Sequence, residues 1–209
     1  MFDYLKDPAA IYQLSFERVR KVTNLAAIPA SLTDVAVRIV HSSATPEIIN
    51  DLAWYHDPVA AARHALSNGA KVLVDSEMVA KGISRRLLPM HNAVMCSLND
   101  PRISSRQAAL QTTRSAAAVD LWREHLTGSV IVIGNAPTAL FRLLEILIEE
   151  KLTPAALFAF PVGFVGASES KEALINSDLD LPYVTLRGRR GGSAIAAAAL
   201  NAINSDSPS

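Results

Sequence analysis

From residue 58 onward the sequence alternates between segments with helical spacing and short, nearly continuous apolar runs. This alternation constrains the fold more than any other feature. The helical pattern PVAAARHALSNGA (58–70) stops at a glycine and leads into KVLVD (71–75), which has the composition of a buried strand. A short segment around SEMVAKGI (76–83) precedes a second such run, AVMCSL (93–98). A long helical pattern from about Ser104 to Leu126 then leads to SVIVIG (129–134), and the Pro137–Glu150 pattern leads to AALFAF (155–160). A helix from about Ser168 precedes YVTLR (183–187), and an alanine-rich segment from Gly192 closes the cycle. Short apolar strands separated by helices need crossover connections, which place helices on both faces of a parallel sheet. The expectation is a three-layer α/β/α fold with a mostly parallel, five-stranded sheet.

The first 57 residues lack this alternation. PAAIYQLSFERVRKV (8–22) is amphipathic at helical spacing, and SLTDVAVRIVH (31–41) places Ser31 and Asp34 at the spacing of a capping box. Residues 1–57 are therefore expected to form a helical arm on an α/β core spanning 58–203, with NSDSPS (204–209) as a flexible tail. A chain of 209 residues, 50% of them hydrophobic, can bury one substantial core, so a single domain is expected.

Several function classes lose support at this level. Twenty basic residues balance twenty acidic ones, so no global charge points to nucleic acid or a membrane surface. The most apolar helical segment, AIAAAALNAI (194–203), is too short to span a bilayer. Cys96 is the single cysteine and cannot form an internal disulfide; together with a start lacking signal-peptide character, this gives a cytoplasmic expectation. The five histidines show no metal-ligand spacing, so neither metal nor cofactor is expected.

In an open parallel sheet, ligands bind beyond the carboxyl ends of the strands. The segments leaving those ends include GNAPTA (134–139), FPVGFVGASESK (160–171) and RGRRGGS (187–193). In the first, Gly134 permits close approach, Pro137 suits a first helical turn, and free amides near Asn135 and Thr138 form an anion-accepting surface. An ordinary strand-to-helix turn needs the same residues. The second segment brings Lys171 and the third brings three arginines, suited to carboxylates or phosphates, although the third lacks the Gly-Lys-Ser/Thr ending of a P-loop and GNAPTA lacks the glycine spacing of a dinucleotide fingerprint. Asp75 ends a strand, where it can be a helix cap or an acid–base group, and the cap is the preferred reading. His41 stands three residues after Arg38, on the same helix face, near a helix C-terminus that favours imidazolium. It can be a proton donor or a simple C-terminal cap, and the residues alone leave both open.

Taken in order, SFERVR (15–20), RIVH (38–41), DSEMVAKGI (75–83), TRSAAA (113–118), IGNAPTAL (133–140), PVGFVGASESK (161–171) and GRRGGS (188–193) resemble the precorrin-8X methylmutase family of cobalamin biosynthesis. The resemblance runs from about residue 8 to residue 203. It implies an isomerase that moves a methyl group from C11 to C12 of a corrin precursor, giving hydrogenobyrinate or its cobalt counterpart. It also implies a homodimer with sites near the subunit interface. Through it, His41 becomes the proton donor or acceptor, and Ser15, Arg38 and Arg114 become substrate contacts. After the histidine the family pattern has a Thr-Gly-Asp-like turn where this chain has SSATPE (42–47). A [1,5]-sigmatropic methyl shift needs a flat ring, shielded from water and protonated on nitrogen. The tetrapyrrole's carboxylate rim suits Ser15, Arg38, Arg114 and Lys171, with an edge of the ring against Asn135 and Thr138. The competing readings are a tetrapyrrole carrier without chemistry and a nucleotide-dependent enzyme.

Overall fold

A computed structural model describes residues 2–204, and only residues 205–209 of the expected flexible tail fall outside them. The strands are β1 (Leu52–Tyr55), β2 (Val72–Val74), β3 (Val94–Cys96), β4 (Val130–Ile133), β5 (Ala156–Ala159) and β6 (Tyr183–Leu186). They form one sheet in the order β1-β6-β5-β4-β2-β3. The five expected strands are all present and all parallel. A sixth, β1, joins them antiparallel to β6, pairing Leu52 with Leu186 and Tyr55 with Tyr183. It lies in the stretch expected to be purely helical. Only Leu52 of its four residues is buried, so the run carries no strong alternation, and pairing with β6 decides its conformation.

Helices α1 (Pro8–Val22), α2 (Thr33–Ser43), α3 (Pro58–Ser67), α4 (Glu77–Gly82), α5 (Ile103–Leu110), α6 (Arg114–Asp120), α7 (Pro137–Glu150), α8 (Ala167–Ile175) and α9 (Ser193–Asn201) complete the described chain. Alternate strand residues point to opposite faces, and two cores follow from that period. Val72, Val130, Phe158 and Val184 meet side chains of α2, α3, α4 and α9. Leu73, Ile131, Leu157 and Tyr183 meet α7 and α8, with Val119 of α6 and Trp122. These are the expected three layers. The N-terminal segment is more than an arm, because Val35, Ala36, Val37, Ile39 and Val40 of α2 are fully buried beside α9. By contrast, α1 buries Phe16 and lies outside.

Two helix boundaries differ from expectation. Ser31 sits in a 3₁₀ turn and caps nothing, while α2 begins at Thr33 and Asp34 binds Arg20 of α1 at 2.8 Å. The long 104–126 helix is broken, because Gln111 turns left-handed (φ 47°) and Thr113 caps a new helix by accepting from the Ala116 amide. Thr is a better cap than helix-interior residue, and the break presents Thr113 and Arg114 at a helix start.

Between β2 and β4 the crossovers leave in opposite directions, since β2 runs on to β3 and β4 runs on to β5. This is the switch point where doubly wound sheets open a crevice. Here Asp75 fills it. Its carboxylate accepts from the amides of Gly134 (2.9 Å), Asn135 (2.9 Å) and Ala136 (2.7 Å), while Ser76 caps α4. The sequence places Gly134 for the close approach of something, and that something is the interior. A Cβ there would lie 2.7 Å from Val79 Cγ2, 2.8 Å from Ala196 Cβ and 2.9 Å from Ser193 Cα. Gly134→Ala is therefore expected to cost about 1–3 kcal/mol by overpacking, read as a lower urea midpoint with an unchanged slope.

Candidate active site

Helix α1 crosses α2, held by the Arg20–Asp34 ion pair and by buried Phe16. The crossing brings Ser15 and His41 together, with Ser15 Oγ 3.0 Å from His41 Nδ1. The His41 ring stacks on Phe16 at 4.9 Å between centroids and 26° between planes. One turn earlier on α2, the Arg38 guanidinium lies 5.0 Å over the Phe16 ring and 5.3 Å over Tyr12. Its Nε is buried and has no hydrogen-bond partner among the described residues. With Nδ1 engaged by Ser15, Nε2 is the nitrogen left to meet a ligand.

The helix C-terminus was expected to favour imidazolium. Instead the His41 pKa is lowered, first by burial and then by the positive charge of Arg38. Burial, together with a guanidinium fixed one turn away, outweighs the partial charge of the helix end. When protonated, such a histidine is a stronger acid than a free one. It opens on a cleft of about 450 Å³ lined by Leu5, Ile11, Leu14, Ser15, Val22 and His41. At the end of α2 and just past it, Ser43, Thr45 and Ile48 line a second cleft of about 440 Å³ with Val162, Phe164 and Arg189.

The remaining residues singled out from the sequence divide into a cluster and an exception. Arg114 is exposed and donates to the Leu98 carbonyl (3.0 Å) and Asn99 Oδ1 (2.6 Å). Thr138 Oγ1 lies 2.8 Å from Thr113 Oγ1, and the Asn135 side chain is exposed, so these three gather beyond the carboxyl ends of β3 and β4. Three amides of this turn, those of Gly134, Asn135 and Ala136, are already satisfied by Asp75. Lys171 is the exception, fully buried, with Nζ 2.7 Å from the Arg190 carbonyl. Burial pulls its pKa down to about 8. The structure thus makes it a latch on the 187–193 loop and gives it no surface for a ligand. Of the loop's arginines, Arg187 pairs with Glu172 (2.9 Å) and Arg190 with Asp51 (2.6 Å).

Sequence reasoning missed Tyr12 and Phe16 as the aromatic floor under Arg38 and His41, because on α1 they read as ordinary apolar-face residues. Burial raises the Cys96 thiol pKa to about 11, which keeps it protonated.

The family model described as precorrin-8X methylmutase matches residues 10–205. The chain belongs to the precorrin-8X methylmutase family. As a methylmutase it is an isomerase, moving a methyl group within one molecule. A precorrin-8X methylmutase from Pseudomonas aeruginosa is 51% identical over 203 residues, covering 97% of this chain and 98% of its own length. One from Sinorhizobium sp. is 48% identical, covering 97% and 96%. The cobalt-precorrin-8 methylmutase of Salmonella typhimurium is 40% identical over 79% of this chain and 77% of its own. The solved precorrin-8X methylmutase structure from Thermus thermophilus matches with a TM-score of 0.84 at 34% identity, covering 93% of this chain and 94% of that one. The mixed sheet and the helical layers are therefore the methylmutase fold.

Proposed function

We propose that this methylmutase carries a methyl group from C11 to C12 of a corrin-ring precursor in cobalamin biosynthesis, with His41 as the proton donor. The observation that carries this is the Ser15–His41 pair, with Arg38 beside it, opening on an apolar cleft. In the shift one carbon–carbon bond breaks and another forms, with no net electron or atom exchanged. The protein's task is to hold the ring, exclude water and make its π-system electron-poor. A proton lent by His41 Nε2 to a ring nitrogen does the last of these, and it returns to His41 after the migration. Ser15 keeps the imidazole aimed by holding Nδ1.

Arg38 has two parts in this reading. It meets a rim carboxylate, and its charge makes the imidazolium more willing to release its proton. Arg114, Asn135 and Thr138 meet other parts of the rim. The higher identity to relatives named for precorrin-8X than to the Salmonella cobalt-precorrin-8 relative supports the metal-free ring as substrate. The exposed apolar residues Leu5, Ile11, Leu14 and Val22 around the His41 cleft support a homodimer that covers it. A single half-buried thiol agrees with a cytoplasmic setting. Among the described residues no helix is long and apolar enough to cross a membrane.

The direct test is anaerobic incubation of the purified protein with precorrin-8X while the visible spectrum is recorded. Conversion to the hydrogenobyrinate spectrum supports the reading. Pigment bound but unconverted makes the protein a carrier, and absence of binding defeats both. A second test concerns pH. The charged groups on the helices flanking His41 include Arg18 and Arg38, and removing the Arg38 charge raises the His41 pKa. Because the protonated form is the donor, kcat falls as pH rises through that pKa. In Arg38→Met the falling limb is expected at higher pH than in wild type; an unmoved limb would detach Arg38 from the titration of His41.

A further inference from the structure

The loop after β5 displays two strongly exposed apolar side chains. Phe164 is 86% exposed and Val165 is 89% exposed. They stand between Gly163 (φ 145°) and Gly166 (φ 79°), both in conformations that L side chains rarely adopt. The display is not slack. The Gly163 amide donates to the Arg189 carbonyl (3.2 Å), the Gly192 amide donates to the Phe160 carbonyl (2.8 Å), and Lys171 holds Arg190 from below. A side chain on Gly191 would run into the carbonyl oxygens of Phe160 and Pro161, so the two loops are closely nested.

Above this frame the Arg189 guanidinium lies 5.1 Å from the centre of the Phe164 ring. Arg187 and Arg190 both have carboxylate partners, whereas among the described residues Arg189 has none. The two side chains stand at the edge of the 440 Å³ cleft, whose lining begins two residues after His41. An exposed aromatic next to an unpaired, exposed arginine is a poor match for an apolar protein surface, which would bury the charge. It is a good match for a flat apolar body with an anionic rim.

We propose that Phe164 and Arg189 form a second hold on the substrate, the ring body lying against Phe164 and a peripheral carboxylate pairing with Arg189. This inference rests on the corrin reading of the site. It assigns the 440 Å³ cleft to the part of the macrocycle that extends away from His41, so that the end of α2 lies beneath the ring between the two clefts.

The test uses the full chain with hydrogenobyrinate as the titrated pigment and precorrin-8X for turnover, comparing wild type with Arg189→Gln and Phe164→Ala. Both side chains are exposed, so folding is preserved. Arg189→Gln is expected to raise Kd about tenfold, with the larger part of the kinetic loss in KM. With a pigment whose peripheral carboxylates have been converted to amides, wild type and Arg189→Gln are expected to bind alike. Phe164→Ala is expected to weaken both pigments about equally, and light scattering is expected to give all variants the wild-type mass. If wild type binds pigment and Arg189→Gln matches it within a factor of two, the inference is overturned while the corrin reading survives. A changed mass would overturn it in favour of a contact between copies. Failure of wild type to bind any pigment would overturn both.

Discussion

His41→Ala is expected to lower kcat by about 10²- to 10⁴-fold while hydrogenobyrinate still binds. The upper figure corresponds to roughly 5 kcal/mol of transition-state stabilisation, within reach of one positioned proton donor. Removing the imidazole takes away, among the described residues lining the cleft, the one group that can exchange a proton near neutral pH. The apolar walls, Arg38 and Ser15 remain, and they account for retained binding. Arg38 loses a repelling neighbour rather than a partner, since its guanidinium and the imidazole share the rings of Tyr12 and Phe16 and among the described residues make no hydrogen bond to each other. His41→Asn is the companion variant, keeping a polar group near Ser15 without a titrating nitrogen, and it is expected to be as slow as the alanine variant. Turnover within tenfold of wild type in both would remove His41 from the chemistry.

Asp75→Ala is expected to destabilise the protein by about 3–5 kcal/mol, comparable to breaking a buried charged interaction. The Asp75 side chain is nearly inaccessible, and burial raises its pKa against the pull of the three amides it accepts from. Without it, those amides at the mouth of β4 lose their acceptor, and Ala136 has no side chain with which to cap α7 in compensation. For a chain of this length the loss corresponds to roughly 10 °C in Tm. Asp75→Asn, which retains one acceptor oxygen but turns an N–H₂ toward an amide donor, is expected to fall between the two. A Tm within 2–3 °C of wild type for the alanine variant, equivalent to about 1 kcal/mol, would show that water replaces the carboxylate at little cost.

The contrast between Gly134 and Phe164 shows where sequence reading succeeds and where it misleads. Glycine after an apolar run correctly marks close approach, but a one-dimensional pattern does not say whether the neighbour is a ligand or another helix; here it is α4 and α9. Phe164 lies in a segment whose importance was evident, yet its exposure depends on two left-handed glycines and on the 187–193 loop, neighbours that only the folded chain supplies. Lys171 shows the same limit from the other side, since a lysine in a glycine-rich loop looks like an anion ligand until burial and the Arg190 carbonyl claim it.

The alternating runs from residue 58 determined the five parallel strands, the three layers and the strand ends where side chains could gather, because crossover geometry leaves few alternatives to that pattern. The spacing of Arg38 and His41 likewise determined that they share one face of α2. The tertiary structure alone decided the antiparallel β1, the contact of Ser15 with His41, the downward pKa shift of that histidine and the filling of the switch-point crevice by Asp75. Each of these depends on groups brought close from distant parts of the chain. Hydrogen bonds and desolvation act over a few ångströms of space, and no periodicity along the sequence records them.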